Sequence, residues 1–303
     1  MAEWRKVIPE SRDRLQSNVL VWAVIPMLLY FAIRDLTSGL REGSGCYSGV
    51  LTMIGLSVTL AVFVWLRRSG TGPAAAVGGV ICFLITLHTA SCRSVALRSG
   101  FAPLMAMMVL TLGATKAGRR IKERRRLAED HMGRNAAQVV ANLGMAALSF
   151  ELTGIVDRYT VMGKEYVYFT IIPALMVAAL AEATADTVSS EIGQAFGGTP
   201  VMLTTFRRVE AGTDGAVTVL GTVAGILGAA AVAGVGMWAM RMSFAVAGIG
   251  LAGGVAGLFF DSLLGATAER KGWLGNDLVN FSSTVFAVVV AMGLALVFLH
   301  LEW

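Results

Sequence analysis

Residues 166–198 indicate the class of this protein. The run YVYFTIIPALMVAALA comes first, and EATADTVSSEIGQAFGG follows it directly. The first of these runs carries no charge and is apolar enough to enter a bilayer. Three carboxylates, Glu182, Asp186 and Glu191, lie within ten residues of its end. The sequence therefore concentrates negative charge where an apolar helix is expected to leave the membrane.

The whole chain has the composition of an integral membrane protein. Of its 303 residues, 55% are hydrophobic and 15% are charged, whereas about 25% are charged in soluble domains. One uncharged run, 192–206, contains GGTP and predicts an irregular or re-entrant loop rather than a membrane span. Nine other uncharged, apolar runs of about 16 to 25 residues predict an all-α, polytopic protein with about nine transmembrane helices, and they are 15–33, 43–66, 69–92, 99–115, 135–150, 166–181, 216–240, 242–260 and 278–300.

We interpret residues 1–303 as a single transmembrane domain, with a four-helix part (1–115), a basic loop (116–134) and a five-helix part (135–303). Loops on the side of the N-terminus carry 18 Lys and Arg residues, and loops on the other side carry 7. The positive-inside rule then predicts a cytoplasmic N-terminus, an outside C-terminus and, in a prokaryote, a multi-pass protein of the cytoplasmic membrane. The polar, glycine-rich loops fall on the cytoplasmic side, which predicts an active site there.

The basic loop KAGRRIKERRRLAEDHMGR does not indicate a nucleic-acid partner. It lies between two predicted spans, where topology and anionic lipid headgroups account for its charge. Three cysteines are too few for a disulfide scaffold, although Cys46 and Cys92 both fall on the outer side and leave one bridge open. The histidines, His88, His131 and His300, show no metal-ligand spacing.

The carboxylates predict a metal site. Glu182 and Asp186 lie four residues apart on one helix face, where they repel each other unless a cation binds between them. Asp261 follows LAGGVAGLFF and is predicted at the same depth as Asp186. Oxygen ligands on neighbouring helices suit Mg²⁺. The alternative is that these acids only mark the ends of the apolar helices.

A second pattern predicts phosphate binding. In RRVEAGTDGAVTVLG, Gly212, Thr213 and Gly215 precede a long span, and a glycine-rich turn that opens a helix exposes backbone N–H groups to anions. Arg207 and Arg208 stand just upstream and suit bidentate phosphate contacts. The alternative for the glycines is a simple tight turn.

Four further side chains are candidates for phosphate contacts or for orienting other groups. Asn142 and Asn280 lie in predicted spans, where amides either serve a site or join helices. Lys116 and Lys122 could pair with phosphates, and their alternative is to extend to the lipid headgroups.

Together these motifs resemble a known family. The blocks QVVANLG, ATADTVSSEIG, RRVEAGTDGAVTVLG and GLFFDSLLGA, in that order, are similar to the integral membrane family that includes transmembrane protein 19 and plant phytyl-phosphate kinase. The blocks cover most of residues 115–300, and LTLGATKAGRRIKE extends the resemblance toward the N-terminus. The chain departs from the family pattern at Asp214, where GTNG is typical, and at Glu269, where Gln is frequent. The roles of these two positions stay open.

The resemblance implies a Mg²⁺-dependent phosphotransferase that converts an isoprenoid (prenyl or phytyl) monophosphate into the diphosphate. The donor is a nucleoside triphosphate; related lipid kinases suggest CTP, and ATP or GTP remain open. The expected partners are this lipid substrate, the nucleotide and membrane lipids, while the oligomeric state is open. Expected metal ligands are Glu182, Asp186, Glu191 and Asp261, and expected catalytic residues are Asp186, Glu191, Asp261 and Asn280. Expected phosphate- and nucleotide-binding residues are Arg207, Arg208, Gly212, Thr213, Gly215, Asn142, Lys116 and Lys122.

Two other classes of function are compatible with the sequence. An ion-coupled transporter also carries acids within the membrane beside broken helices, and a scaffold would carry them without chemistry. A transporter needs polar groups reachable from both membrane faces, whereas the polar segments here are predicted on one face. This asymmetry favours an enzyme that uses a cytosolic nucleotide.

Overall fold

The protein is almost wholly helical in a computed structural model that describes residues 8–41, 47–90, 97–125, 127, 133–153 and 170–301. Within these residues the α-helices are α1 (Glu10–Arg41), α2 (Tyr47–Leu66), α3 (Gly72–Thr89), α4 (Phe101–Lys116), α5 (Arg119–Arg125), α6 (Ala136–Leu148), α7 (Ile172–Phe196), α8 (Val219–Met240), α9 (Phe244–Leu264) and α10 (Asn276–Leu301). A 3-10 turn (Ser149–Leu152) extends α6 and a π turn (Gly265–Glu269) extends α9. The short strands β1 (Val201–Met202) and β2 (Ala216–Val217) pair antiparallel.

The all-α, multi-pass membrane class is confirmed, and the described residues contain seven or eight candidate spans against the nine predicted for the whole chain. In the described part of the chain, α1, α2, α3, α7, α8, α9 with its π turn, and α10 are long and apolar enough to cross a membrane. Helices α4 and α5 meet at a bend of 54° and together could form an eighth span. The predicted span 135–150 corresponds to α6 with its 3-10 turn, Ala136–Leu152, a shorter apolar helix than the seven long ones and at the lower limit of the roughly 17 residues that a bilayer requires. Cys46 and Cys92 lie outside the described residues, and the orientation of the termini stays a prediction.

Helix α7 is the centre of the protein. Residues 172–185 are buried on every side, as expected of a helix that is surrounded by other helices. The helix starts beside Pro173 and continues to Phe196, where Gly197 caps it. The predicted end of the span 166–181 was therefore too early, since the helix continues beyond it. The carboxylates do not follow the end of a helix but project from its middle and its second half, and the predicted loop 192–206 begins only after Phe196.

Glycines on α8 and α9 let these helices approach α7 closely. A Cβ atom added at Gly225 would lie 2.6 Å from the carbonyl oxygen of Ala185, and one added at Gly254 would lie 2.6 Å from Cβ of Ala181. Both separations are far below van der Waals contact, so only glycine fits, as in other small-residue interfaces between membrane helices. This packing fixes the acidic half of α7 between α8 and α9.

A buried ion pair joins α5 to α7. Lys122 is 1% exposed, and its ammonium donates to the carboxylate of Glu191. It also donates to the carbonyl oxygens of Thr115, at 2.8 Å, and Ala114, at 3.3 Å. Because the ammonium group is buried and bonded to acceptors within the protein, this lysine does not extend to the headgroups but holds the bend after α4 against α7.

The N-terminal end of α1 holds the connection between α9 and α10. Gln16 donates to the carbonyl of Trp273, at 2.8 Å, and accepts from the backbone N–H of Gly275, at 2.7 Å. Ser17 donates to the carboxylate of Asp277, at 2.6 Å. These bonds fix the point at which α10 begins.

The other end of α1 belongs to a polar cluster that the sequence did not predict. Arg34 donates to both carboxylate oxygens of Glu151, at 2.8 Å each, and to Asp35. Asp35 lies 3.0 Å from Nε2 of His88, whose ring stacks on Phe150. The imidazole and the two carboxylates come close enough to hold a metal, but Arg34 already supplies positive charge there. The cluster therefore ties α1, α3 and the 3-10 turn together.

We expect Lys122→Met to destabilise the protein by about 3–5 kcal/mol, because it leaves the carboxylate of Glu191 buried without its partner. The double variant Lys122→Met/Glu191→Met should recover most of this loss. Thermal unfolding in detergent measures both. Lys116→Met, at an exposed site in the last turn of α4, is the control and should shift stability by less than about 0.5 kcal/mol. Losses that simply add in the double variant would contradict the pairing.

We expect Gly254→Ala to destabilise the fold by about 1–3 kcal/mol, because the new methyl group overpacks the contact with α7. Gly248→Ala is the matched control on the same helix, since a Cβ there meets nothing within 4 Å. The two variants are compared by thermal unfolding in one detergent. Equal stability of both would show that the α7–α9 contact tolerates a methyl group.

Candidate functional site

A polar cleft of about 280 Å³ opens at the end of the helix bundle where α6 and α10 begin. Its walls come from α6, the second half of α7, the segment between α7 and α8, the end of α9 with its π turn, and the start of α10. The polar side chains that line it are Arg134, Gln138, Asn142, Asp186, Thr187, Ser189, Ser190, Glu191, Gln194, Thr213, Asp214, Thr218, Asp261, Ser262, Glu269, Asn276 and Asn280.

The ionisable side chains that line this cleft are mostly acidic. Five lining side chains are carboxylates, namely Asp186, Glu191, Asp214, Asp261 and Glu269, and among the described lining residues the one cationic side chain is Arg134. Such a cleft repels phosphate unless cations are bound in it. Its charge thus favours a ligand that includes a metal ion.

Asp261 faces α7 from the last turns of α9. Ser283 of α10 donates to its carboxylate, at 3.2 Å, and to the backbone carbonyl of Asn280, at 2.9 Å. The negative charges of Asp186 and Glu182 act on the same carboxylate. Helices α7, α9 and α10 therefore bring Asp186, Asp261 and Asn280 to the wall of one cleft, and the roles predicted for them stay predictions.

Glu182 lies one helical turn below Asp186 and does not line the cleft. It is 1% exposed, and its Oε1 atom is buried without a hydrogen-bond partner in the described structure. A Cβ atom added at Gly257 would lie 2.5 Å from Cγ of this glutamate, so α9 presses directly against it. A buried carboxylate oxygen without a donor needs a proton or a cation.

Glu191 differs from the other predicted metal ligands because its charge is already balanced. The carboxylate accepts from Lys122, which the sequence had assigned to phosphate. Lys122 does not line the cleft. The pair gives Glu191 a role in fixing α7 against α5.

The turn at residues 212–215 forms part of the cleft wall. Gly212 and Gly215 have φ angles of +89° and +70°, which favour glycine. A Cβ atom added at Gly215 would lie 2.0 Å from the backbone nitrogen of Ala266, so the turn packs onto the π turn. Burial raises the pKa of the Asp214 carboxyl, and the guanidinium of Arg270 opposes this rise.

The sequence had predicted that this turn opens a helix, but the turn does not lead directly into one. Strand β2 intervenes, and Thr218 caps α8 by accepting from the backbone of Gly221, at 3.0 Å. Within the turn, the N–H of Thr213 donates to Glu210 and that of Ala216 donates to Thr213. Those two amides are used locally, and the phosphate-binding role of the turn stays a prediction.

Three further cationic side chains that were predicted to bind phosphate also lie away from the cleft lining. Arg207 and Arg208 are exposed in the connection between β1 and β2, and Lys116 is exposed at the end of α4. The structure therefore does not bring their side chains together with the acids.

The predicted amides lie in the cleft with their backbones fixed by the helices. Asn142 is 6% exposed and donates to the carbonyl of Gln138, at 2.8 Å. The side chain of Gln138 forms a capping box with Asn135 at the start of α6, a known N-terminal device. Asn276, which the sequence did not single out, joins Asn280 on the α10 wall.

Arg134 is the main residue that sequence reasoning missed. Its backbone N–H donates to Ser69, at 3.1 Å, and its carbonyl accepts from Thr71, at 3.0 Å, so the turn between α2 and α3 holds it in place. The preceding Gly133 has a φ of +72°. The sequence offered one signal for Arg134, namely its position at the end of the predicted basic loop and directly before the N-cap Asn135.

Comparison with known proteins gives several relatives. The chain is 33% identical over 190 residues to an uncharacterized membrane protein of Methanocaldococcus jannaschii, covering 62% of this chain and 73% of that protein. It is 30% identical over 197 residues to the chloroplastic protein VTE6 of Arabidopsis thaliana, covering 64% and 58%. A membrane protein of Synechocystis is 28% identical over 196 residues, covering 64% and 73%.

No solved structure matches the chain. The family model described as integral membrane protein DUF92 matches residues 55–288, a range that contains every residue of the cleft wall. The match covers well over half of the sequence, and the all-α membrane architecture agrees with it. The chain therefore belongs to the integral membrane protein DUF92 family.

Proposed function

We propose that this protein is a membrane-embedded kinase that transfers a phosphate from a nucleoside triphosphate to an isoprenoid monophosphate, giving the diphosphate. The observation that carries the proposal is the acidic cleft of α7 and α9 at the end of a membrane bundle. Beneath it lies the buried Oε1 of Glu182, which has no hydrogen-bond partner in the described part of the chain. The similarity to the plant protein VTE6 and the resemblance to the family of phytyl-phosphate kinase support the same reaction class.

The residues present fit a magnesium ion. Asp186 and Asp261 from facing helices, with Glu182 below them, offer the hard oxygen ligands that Mg²⁺ prefers. The orphaned Oε1 of Glu182 supports this assignment, since a cation would satisfy it. When bound, the metal supplies neutralisation of the charge on the transferred phosphate. Glu191, paired with Lys122, would position α7.

The reaction makes few demands on proton transfer. An acceptor monophosphate is largely ionised at neutral pH, since its second pKa is about 6, so no general base is needed. One of its oxygens attacks the γ-phosphorus, the bond from that phosphorus to the bridging oxygen breaks, and the nucleoside diphosphate leaves with the electron pair. The protein must hold the two phosphates in line. In this proposal Asn142 and Asn280, which line the cleft, orient the two phosphates, and the turn of Gly212, Thr213 and Gly215 contacts the nucleotide.

A transporter fits the polar groups less well. The Arg34 cluster gives the far end of the bundle polar groups that the sequence had not indicated there. Between that end and Glu182, however, residues 172–181 of α7 are apolar and buried throughout. This segment spans about 15 Å and offers no ion ligands from α7, so the buried core separates the two polar regions.

We expect Asp186→Asn and Asp261→Asn each to lower kcat/KM by at least about 100-fold while the protein stays folded, because each removes a charge that holds the metal. The assay is mass spectrometry of purified protein with Mg²⁺, each nucleoside triphosphate, and phytyl, geranylgeranyl or farnesyl monophosphate. Glu10→Gln, an exposed acid on α1, is the control and should keep full activity. Diphosphate formation that survives in both variants would refute this assignment.

We expect Asp214→Asn to change the pH dependence of nucleotide binding. As pH rises through the raised pKa of Asp214, ionisation adds negative charge to the cleft and weakens phosphate binding, an effect that Asn cannot produce. The ratio of wild-type to variant KM for the nucleotide should therefore grow with pH, by about three- to tenfold. Glu123→Gln, an exposed acid on α5, should give a flat ratio. A flat ratio for Asp214→Asn as well would remove this residue from the site.

A further inference from the structure

A second cavity, of about 130 Å³, lies beside the polar cleft, between α2, α3, α4 and α6. Its lining is almost entirely apolar and includes Met105, Met107 and Met108 of α4, side chains that adapt easily to an irregular ligand. Phe63 on the α2 wall is 49% exposed, so the cavity reaches the outer surface of the bundle beside α2. In a bilayer that surface faces hydrocarbon. We call this cavity the apolar groove.

The apolar groove and the polar cleft meet at two residues. Arg134 and Asn142 line both of them. A ligand that extends from one to the other therefore has an apolar part, in contact with α2, α3 and α4, and a polar part, in contact with the cleft. This is the shape of a lipid with a single hydrocarbon chain and a small charged head.

The charge where the groove meets the cleft indicates which headgroup the ligand carries. Arg134 has no carboxylate partner among the described residues, although five carboxylates line the neighbouring cleft. Its backbone is held by Ser69 and Thr71, so the guanidinium is presented from a fixed base. A fixed arginine with its donors available suits a phosphate, which accepts two parallel hydrogen bonds.

We infer that the apolar groove holds the hydrocarbon chain of the isoprenoid monophosphate and that Arg134 binds its phosphate. This inference rests on the proposed function and deepens it, because it separates the acceptor side, at α6, from the metal and nucleotide side, at α7 and α9. The groove holds the part of the chain nearest the head, and the remainder lies among the membrane lipids.

Gly78 of α3 lines the apolar groove and determines its width. A Cβ atom added there meets nothing within 4 Å, so a larger side chain occupies the groove without displacing the helices. Gly78→Leu should therefore keep the thermal stability of the wild type and exclude part of the hydrocarbon chain. Gly78→Ala, which adds one methyl group, should give a smaller effect of the same sign.

The test measures binding and turnover separately, with geranylgeranyl monophosphate and the phosphate-free alcohol geranylgeraniol as probes. Binding to purified protein in detergent is followed by native mass spectrometry. Gly78→Leu should weaken binding of both probes by about tenfold, since it displaces roughly two methylene groups of buried chain. Arg134→Gln should weaken the monophosphate about 10- to 100-fold and leave the alcohol unchanged, with partial recovery in Arg134→Lys.

Gly293→Leu is the matched control, because a Cβ at this position of α10 also meets nothing within 4 Å and the residue lies outside the groove. It should bind both probes as the wild type does. Unchanged binding of both probes in Gly78→Leu would overturn the groove assignment, even if the wild type is an active kinase. Wild-type protein that binds the monophosphate with these dependences but forms no diphosphate would uphold the groove and overturn the kinase.

Discussion

The burial of acidic side chains within α7 is the constraint on which the rest of the structure depends. Taking a carboxylate out of water is costly unless a cation or donor compensates it. The chain meets this demand differently at each acid. On α7, Lys122 compensates Glu191, and Oε1 of Glu182 has no hydrogen-bond partner among the described residues. On the neighbouring α9, Asp261 accepts a hydrogen bond from Ser283. The surrounding helices then serve to hold these groups at fixed positions, and their glycines make that close approach feasible.

Much of the fold could be predicted because a bilayer restricts the chain to helices of known length. The apolar runs at 69–92, 216–240 and 242–260 correspond to α3, α8 and α9. The run at 166–181 misled the prediction because the end of an apolar segment was taken as the end of a helix. Helix α7 continues past it, since the helices around α7 replace lipid and can accept polar side chains.

The position of a site residue could be predicted where its own helix directs the residue into the cleft. It could not be predicted where that position depends on a partner that is distant in the sequence. Asp186, Asp261 and Asn280 converge as expected. Lys122 looked like a phosphate ligand because its sequence neighbours are basic, but its partner Glu191 is 69 residues away in the chain. His88 showed no metal-ligand spacing along the sequence, yet it meets Asp35 and Glu151 in space. Arg134 had no pattern of its own, since its position depends on the turn between α2 and α3.

The sideways opening of the apolar groove at α2 has a kinetic consequence. A substrate that enters from the bilayer arrives by diffusion in two dimensions, so the quantity that sets its encounter rate is the number of molecules per unit area of membrane. Adding inert lipid dilutes such a substrate even when its amount per volume of suspension is constant. A nucleotide, in contrast, would arrive from water and follow its bulk concentration. The proposed kinase would therefore respond to two independent concentration scales at once.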